Sequence, residues 1–332
     1  MKALLPRIEI ALSEIQHNAR MLSERYGQKG ISLMGVSKAV LGEPAIAQAM
    51  IQGGVKFMAD SRLENIQKMK AAGISTQFVL LRTALSQAES VIRDVDISLN
   101  TELETVKELS RYATLHHKIH QIIVMVELGD LREGILASDL FQFIKTVLDL
   151  PQINVIGIGC NLACYGGIKP NQSKMRELSE LATAIEEKFQ IHLAVISGGN
   201  SANHEWYESA PQVEKINNLR LGESILLGCE TINRKVIPGL YTSAFKLIAE
   251  VIESKEKPSL PFGEACQDAF GNIPVFVDRG VRRRVIIALG RQDVLISGLK
   301  PIQDLEILGA SSDHIVLDSN NAELKIGSEV MF

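Results

Sequence analysis

Lys38 closes an apolar run, Ile31-Ser32-Leu33-Met34-Gly35-Val36-Ser37-Lys38, and helix-like sequence follows from about Glu43. That order puts an amine at the C-terminal end of an early, buried strand. Parallel α/β proteins bind ligands outside the carboxyl ends of their strands. A lysine partly desolvated there can lose its proton and attack a carbonyl, the step that begins Schiff-base chemistry. The structural alternative is a lysine that snorkels from a strand end into solvent.

A second constellation lies far along the chain. Ile196-Ser197-Gly198-Gly199-Asn200-Ser201-Ala202-Asn203 ends another strand with paired glycines and small hydroxyl and amide residues. Such a loop can turn its N–H groups around an anion, although the same residues also make ordinary turns. Leu219-Arg220-Leu221-Gly222-Glu223-Ser224 then supplies an arginine and a further glycine. In barrels, phosphate commonly sits on the loops after the last two strands. An amine facing a phosphate anchor is what pyridoxal phosphate needs: a lysine for its aldehyde, N–H groups for its phosphate and a partner for its ring nitrogen.

The elements that must position these groups alternate. Strand candidates are 32–38, 55–60, 76–81, 96–99, 121–128, 154–160, 193–197 and 219–226. Amphipathic helical stretches cover 13–26, 43–52, 62–72, 84–93, 101–116, 137–148 and 172–189, with a less regular stretch over 202–217. Runs such as Ile122-Ile123-Val124-Met125-Val126 are apolar throughout, as burial on both faces of a parallel sheet requires. The pattern predicts an α/β fold, a (β/α)8 barrel over 13–235, with a doubly wound open sheet as the runner-up. No G-x-G-x-x-G follows a strand to support the runner-up.

Beyond about residue 235, prolines punctuate shorter β-branched runs at 245–253, 274–277, 284–289, 305–308 and 314–318. These predict a β domain over 236–332. Residues 7–12 read as a strand able to join it, so residues 1–12 are assigned to the same domain.

Composition narrows the function classes. The chain has 332 residues, 46% hydrophobic and 22% charged, with a formal net charge of -4. That balance suits a globular core and gives no basic field for nucleic acid. The short basic run Arg282-Arg283-Arg284 fits a solvated strand or turn. No apolar run has the length of a membrane span, and MKALLPRIEI lacks the apolar region of a signal peptide. Cys160, Cys164, Cys229 and Cys266 suggest reduced thiols in the cytoplasm. Cys160 and Cys164 have no histidine at ligand spacing, so both read as packing residues and no metal site is expected.

The order of elements and the segments GVSKAVLGEP, MADSRLEN, VELGDLREGI, GIGCNLACYGG, ISGGNSANH, LRLGESILLGCET, GRQDV and ILGASSDH resemble the fold-type III pyridoxal-phosphate enzymes of the alanine racemase family. The resemblance covers nearly the whole chain and is stronger to the ornithine or broad-specificity amino-acid racemases. It implies a racemase of a free amino acid (ornithine, lysine or alanine type) acting through a Lys38 aldimine, with homodimers that share active sites. It places Arg220 at the pyridine nitrogen. It further implies that Ser201, Gly222 and the Glu223 backbone take the phosphate, with Ser197 and Asn200 in the same loop. Arg132 falls near the cofactor phenolate or substrate carboxylate, and Asn161 beside the ring.

Departures from the family accompany these matches. Met125 stands in place of a modified lysine, Gly42 in place of a phosphate-gripping tyrosine, and Arg291 in place of the tyrosine that acts as second base. Asp313, His314, Asp268 and Cys266 are the alternatives for that base, with Arg291 orienting the substrate carboxylate. Arg132 has a competing assignment as a surface ion pair with Asp130 or Glu133. For a cationic substrate, Glu127, Asp130 and Glu133 are the acidic candidates. Resembling sequences continue past a segment like GSEVMF, so a chain stopping at Phe332 is expected to lack the contacts of that tail. Two other functions remain in view: a non-catalytic pyridoxal-phosphate carrier, and a fold-type III decarboxylase, in which a glutamate would face the ring nitrogen.

Overall fold

The structure is a computed structural model that describes residues 4–332 except positions 265, 269 and 321. Two compact units divide the chain: Ala11–Ala244, and Met1–Ile10 with Phe245–Phe332. The division falls at 10/11 and 244/245, against the expected 12/13 and 235/236. Asn18 shows why residues 236–244 stay with the first unit. Its side chain takes the Tyr241 N–H at 2.8 Å and donates to the carbonyls of Tyr241 and Ile225.

After β1 (Arg7–Ile10), which belongs to the second unit, the first unit is a closed barrel. Its strands are β2 (Ser32–Val36), β3 (Phe57–Asp60), β4 (Gln77–Leu80), β5 (Ile97–Asn100), β6 (His120–Met125), β7 (Ile153–Gly159), β8 (Val195–Ser197) and β9 (Asn218–Leu221). All are parallel and follow chain order, and β9 closes on β2. The intervening helices include α1 (Leu12–Gly27), α2 (Pro44–Gln52), α3 (Leu63–Ala71), α4 (Ala88–Asp94), α5 (Leu103–Leu115), α6 (Ala137–Leu148), α7 (Gln172–Phe189), α8 (His204–Ser209) and α9 (Glu223–Leu227). Pro44 opens α2, where its missing N–H costs no hydrogen bond, and Asn171 caps α7 by accepting from the Lys174 N–H at 3.0 Å.

Strand alternation fills the barrel. Met34, Val36, Ala59, Val79, Ile97, Leu99, Ile123 and Met125 form one buried cluster, every second residue along their strands. Truncating one of the larger of these to alanine would cost about 2–5 kcal/mol. Arg220 lies in register with Met34, and Ser197 with Asn218, so these polar residues share the inner face.

The second unit is a six-stranded antiparallel sheet in the order β1, β10 (Phe245–Pro258), β11 (Val281–Ile287), β13 (Ile315–Asp318), β12 (Glu306–Ala310), with β14 (Glu329–Met331) also on β10. A bulge between Val251 and Glu253 lets β10 serve both sets of partners. Val251, Val285, Ile287, Ile315, Leu317 and Val330 form its core.

Several strand expectations change. β10 runs on to Pro258 because β11 pairs with it as far as Val281. Residues 274–277 form no strand: Val275 and Val277 are exposed and lack a partner strand, so β-branched residues alone do not suffice. The run at 219–226 stops at Leu221, because Gly222 starts the turn into α9.

Candidate active site

β2 ends at Val36, and Lys38 opens a short 3-10 turn, Lys38–Val40, at the barrel rim. The expected strand reached Lys38, but pairing with β3 stops at Val36 opposite Ala59. Lys38 is consequently exposed rather than partly buried. Ser37, directly before it, is fully buried. Its N–H donates to the Ala59 carbonyl at 3.0 Å and its hydroxyl to the Asp60 carboxylate at 2.7 Å. Asp60 is absent from the sequence-based candidates. The signal for it was a carboxylate closing an otherwise apolar strand.

Arg220 lies inside the barrel with 5% of its surface exposed. One guanidinium nitrogen donates to the Ser197 hydroxyl at 2.5 Å, the other to the Cys160 carbonyl at 2.7 Å and more weakly to the Asn161 side-chain oxygen at 3.4 Å. Burial pulls the guanidinium below its ordinary value, yet that value is so high that the group stays a cation. Cys160 packs beneath it, its thiol pushed up to about 12 by burial.

The β8 and β9 loops meet through two hydroxyls. Ser201 accepts the Ser224 N–H at 3.1 Å and shares a hydrogen bond with the Ser224 hydroxyl at 3.1 Å. Gly222 lies against β2: a Cβ there would stand 3.1 Å from the Val36 carbonyl oxygen. Asn200 donates to the Asn161 side-chain oxygen at 3.0 Å and to the Leu162 carbonyl at 2.9 Å, linking the β7 and β8 loops. The Asn161 oxygen therefore holds two donors, while its amide nitrogen is buried without a partner. A buried orphan donor is costly, and an acceptor on a bound molecule would relieve it. Glu223 turns its carboxylate to Arg234 in an ion pair.

Beyond β6, Arg132 pairs with Glu133 and places a guanidinium nitrogen 2.8 Å from the Cys164 sulfur. Burial works against its charge, and Glu133 outweighs that, so its value is raised. Asp130 is not available to Arg132. It is buried and accepts N–H groups of Cys164, Tyr165 and Ile168 between 2.8 and 3.3 Å. Burial opposes its ionisation, but these donors lower its value overall. The Glu127 carboxylate accepts the Gly129 N–H at 2.5 Å. Cys164 corrects an expectation: it is exposed beside Arg132 and is not a packing residue, because the loop beyond β7 has left the core.

The second unit gathers the remaining candidates. The N–H of Arg291 reaches the Ser311 carbonyl at 3.0 Å, and that of Gln292 reaches the Ser312 carbonyl at 2.9 Å. Gly290 is required there, since a Cβ would meet Ser312 backbone at 2.2 Å. The Arg291 guanidinium carbon sits 4.1 Å from the centre of the Phe270 ring. Asp313 and His314 are joined at 2.8 Å, and the Ser311 and Ser312 hydroxyls donate to the same carboxylate oxygen. Asp268 holds a turn by accepting the N–H groups of Phe270 and Asn272, and Cys266 is exposed.

Residues 10–229 match the family described as "Alanine racemase, N-terminal domain". The chain belongs to the alanine racemase family. It is 40% identical to the ornithine racemase of Acetoanaerobium sticklandii, over 99% of this chain and 94% of that one. It is 38% identical to the lysine racemase of Thermotoga maritima, over 98% of this chain and 92% of that one. The alanine racemase of Streptomyces lavendulae superposes with a TM-score of 0.80 at 18% identity, covering 99% of this chain and 88% of the other, which shows the shared fold. This alanine racemase family member is an amino-acid racemase. The alanine racemase of Bartonella henselae, which shares the fold with a TM-score of 0.75 at 18% identity over 99% of this chain and 90% of the other, carries covalently bound pyridoxal phosphate. Among the described residues, no helix is long and apolar enough to cross a membrane.

Proposed function

We propose that the enzyme racemises a cationic amino acid of the ornithine or lysine type with pyridoxal phosphate held at the C-terminal mouth of its barrel. The observation that carries this reading is the Arg220 clasp: a buried guanidinium fixed by Ser197 and the Cys160 carbonyl. When bound, the cofactor supplies a carbonyl for an amine and a conjugated ring that eases loss of the α-proton. Lys38 would hold the aldehyde carbon and take or return a proton on one face of the substrate. Arg220 would meet the ring nitrogen as a cation that does not give up its proton, leaving that nitrogen unprotonated. This suits racemisation more than decarboxylation. The Glu223 carboxylate, a decarboxylase-type candidate for the ring nitrogen, is engaged with Arg234.

Ser201, Gly222 and the backbone of Glu223 would take the phosphate, within the loop of Ser197 and Asn200. The orphan Asn161 nitrogen fits an acceptor on the cofactor. Arg132 would orient the phenolate or the substrate carboxylate. His314 with Asp313 would serve the opposite face, with Arg291 orienting the substrate. The family resemblance supports a homodimer whose subunits complete each other's sites, and Phe262, Val275 and Val277 expose an apolar stretch of the second unit for such a contact. A cytoplasmic setting would keep the four free cysteines reduced. Against a non-catalytic carrier stand the second unit and the full-length racemase relatives.

The test is incubation with L-ornithine, L-lysine and L-alanine, with and without added pyridoxal phosphate, followed by chiral analysis. Borohydride reduction should fix the cofactor to Lys38. Absence of any D-product, or a mapped adduct on another lysine, would reject the proposal.

A further inference from the structure

We propose that Asp60 is a positioning residue for Lys38, acting through the hydroxyl of Ser37. This inference rests on the reading that Lys38 carries the cofactor. Asp60 is the last residue of β3 and is completely buried. Its two oxygens have divided tasks. One accepts the Ser37 hydroxyl at 2.7 Å. The other accepts the Arg62 N–H and the Asn65 side-chain amide, each at 2.9 Å.

The first contact fixes the residue directly before Lys38, at the point where β2 stops pairing and the chain must turn. The second fixes Asn65, and Asn65 seats the far end of the same turn. Gly42, at φ 60°, lies so close that a Cβ would stand 2.7 Å from the Asn65 Cβ. Leu41 is also left-handed at φ 52°, and the Gly42 N–H returns to the Ser37 carbonyl at 3.3 Å. Asp60 thus links both ends of the turn from Ser37 to Gly42. Lys38 itself is exposed, so packing does not hold it. A long, flexible amine must reach one carbon atom, and the backbone beneath it sets where its search begins.

The experiment uses the full-length protein freed of cofactor and reloaded with pyridoxal phosphate. It measures the rate of borohydride-fixed adduct formation at Lys38 across pH, together with thermal stability. Ser37→Ala removes the hydroxyl and leaves the Asp60 contacts to Arg62 and Asn65 in place. It should slow adduct formation about tenfold to a hundredfold and move the pH midpoint of the reaction. Ser37→Thr, which restores a hydroxyl, should recover most of the rate. Asp60→Asn, if it folds, should behave like Ser37→Ala. If Ser37→Ala labels Lys38 at the wild-type rate with an unchanged pH midpoint, Asp60 is only structural and the inference is overturned. A wild-type adduct on a different lysine would instead overturn the cofactor reading, and this inference with it.

Discussion

The guanidinium of Arg220 donates to the hydroxyl of Ser197 at 2.5 Å, and that hydroxyl donates to the side-chain oxygen of Asn218 at 2.7 Å. A serine at the end of one strand therefore aims an arginine on the next while being anchored by that arginine's own strand. Ser197→Ala should leave a guanidinium N–H and an amide oxygen buried with one partner fewer. The expected loss is about 1–3 kcal/mol in urea unfolding, with weaker cofactor retention. An unchanged unfolding midpoint would show that Ser197 does not hold Arg220 in solution.

The barrel was legible because its signals are local and repeated: continuous apolar strands, helical spacing between them, and chain-order pairing. Lys38 and Ser201 are legible because each follows such a strand, and Arg220 because it interrupts one, with chemistry in its side chain. Asp60 is not, since the partner that reveals it, Ser37, lies just past the end of a different strand. Nor could spacing show that Asp130 is taken up by backbone donors while its neighbour Glu133 pairs with Arg132. In the second unit, the exposed run at 274–277 has strand composition without a partner, and only pairing makes a strand.

His120 supplies a pH dependence of stability. Burial pushes its imidazole down to about 4, and its Nε2 lies 2.8 Å from the Ser98 hydroxyl. An unfolded histidine titrates near about 6.5. Between those values the unfolded chain binds a proton that the folded chain does not. The contribution is full above about 6.5 and declines as pH falls toward about 4, by about 3 kcal/mol in all. His120→Asn should flatten that limb of the stability curve in chemical denaturation. A limb of the same slope in the variant would assign it to other groups.

Of the three acidic candidates for a cationic substrate, Glu133 is the one whose carboxylate is paired with a side chain and not with backbone N–H groups. Asp130 is committed to the 164–168 loop, and Glu127 holds the Gly129 N–H, whereas Glu133 is held by the side chain of Arg132. Glu133→Gln is expected to raise KM for ornithine or lysine about tenfold or more, the size of one charge-assisted hydrogen bond, and to affect alanine much less. Equal effects on all three substrates would point to a role through Arg132 instead.

Racemisation needs a proton carrier on each face of the substrate. The Asp313 carboxylate accepts from His314 Nδ1 at 2.8 Å and is held by the Ser311 and Ser312 hydroxyls. His314, foremost, and Ser311 pull Asp313 below the usual carboxylate range, so it stays ionised and is a weak base at neutral pH. On the proposal that His314 serves the face opposite Lys38, Asp313 would orient the imidazole through Nδ1. Arg291, stacked on Phe270, cannot exchange a proton readily. His314→Gln should therefore block conversion between enantiomers while Lys38 still exchanges the α-proton of one of them, seen as deuterium uptake without racemisation. Asp313→Asn should slow conversion less, because the imidazole remains but loses its orientation. Racemisation at wild-type rates in both directions by His314→Gln would remove the histidine from the mechanism and leave a water on Arg291, or Asp268, to carry the proton.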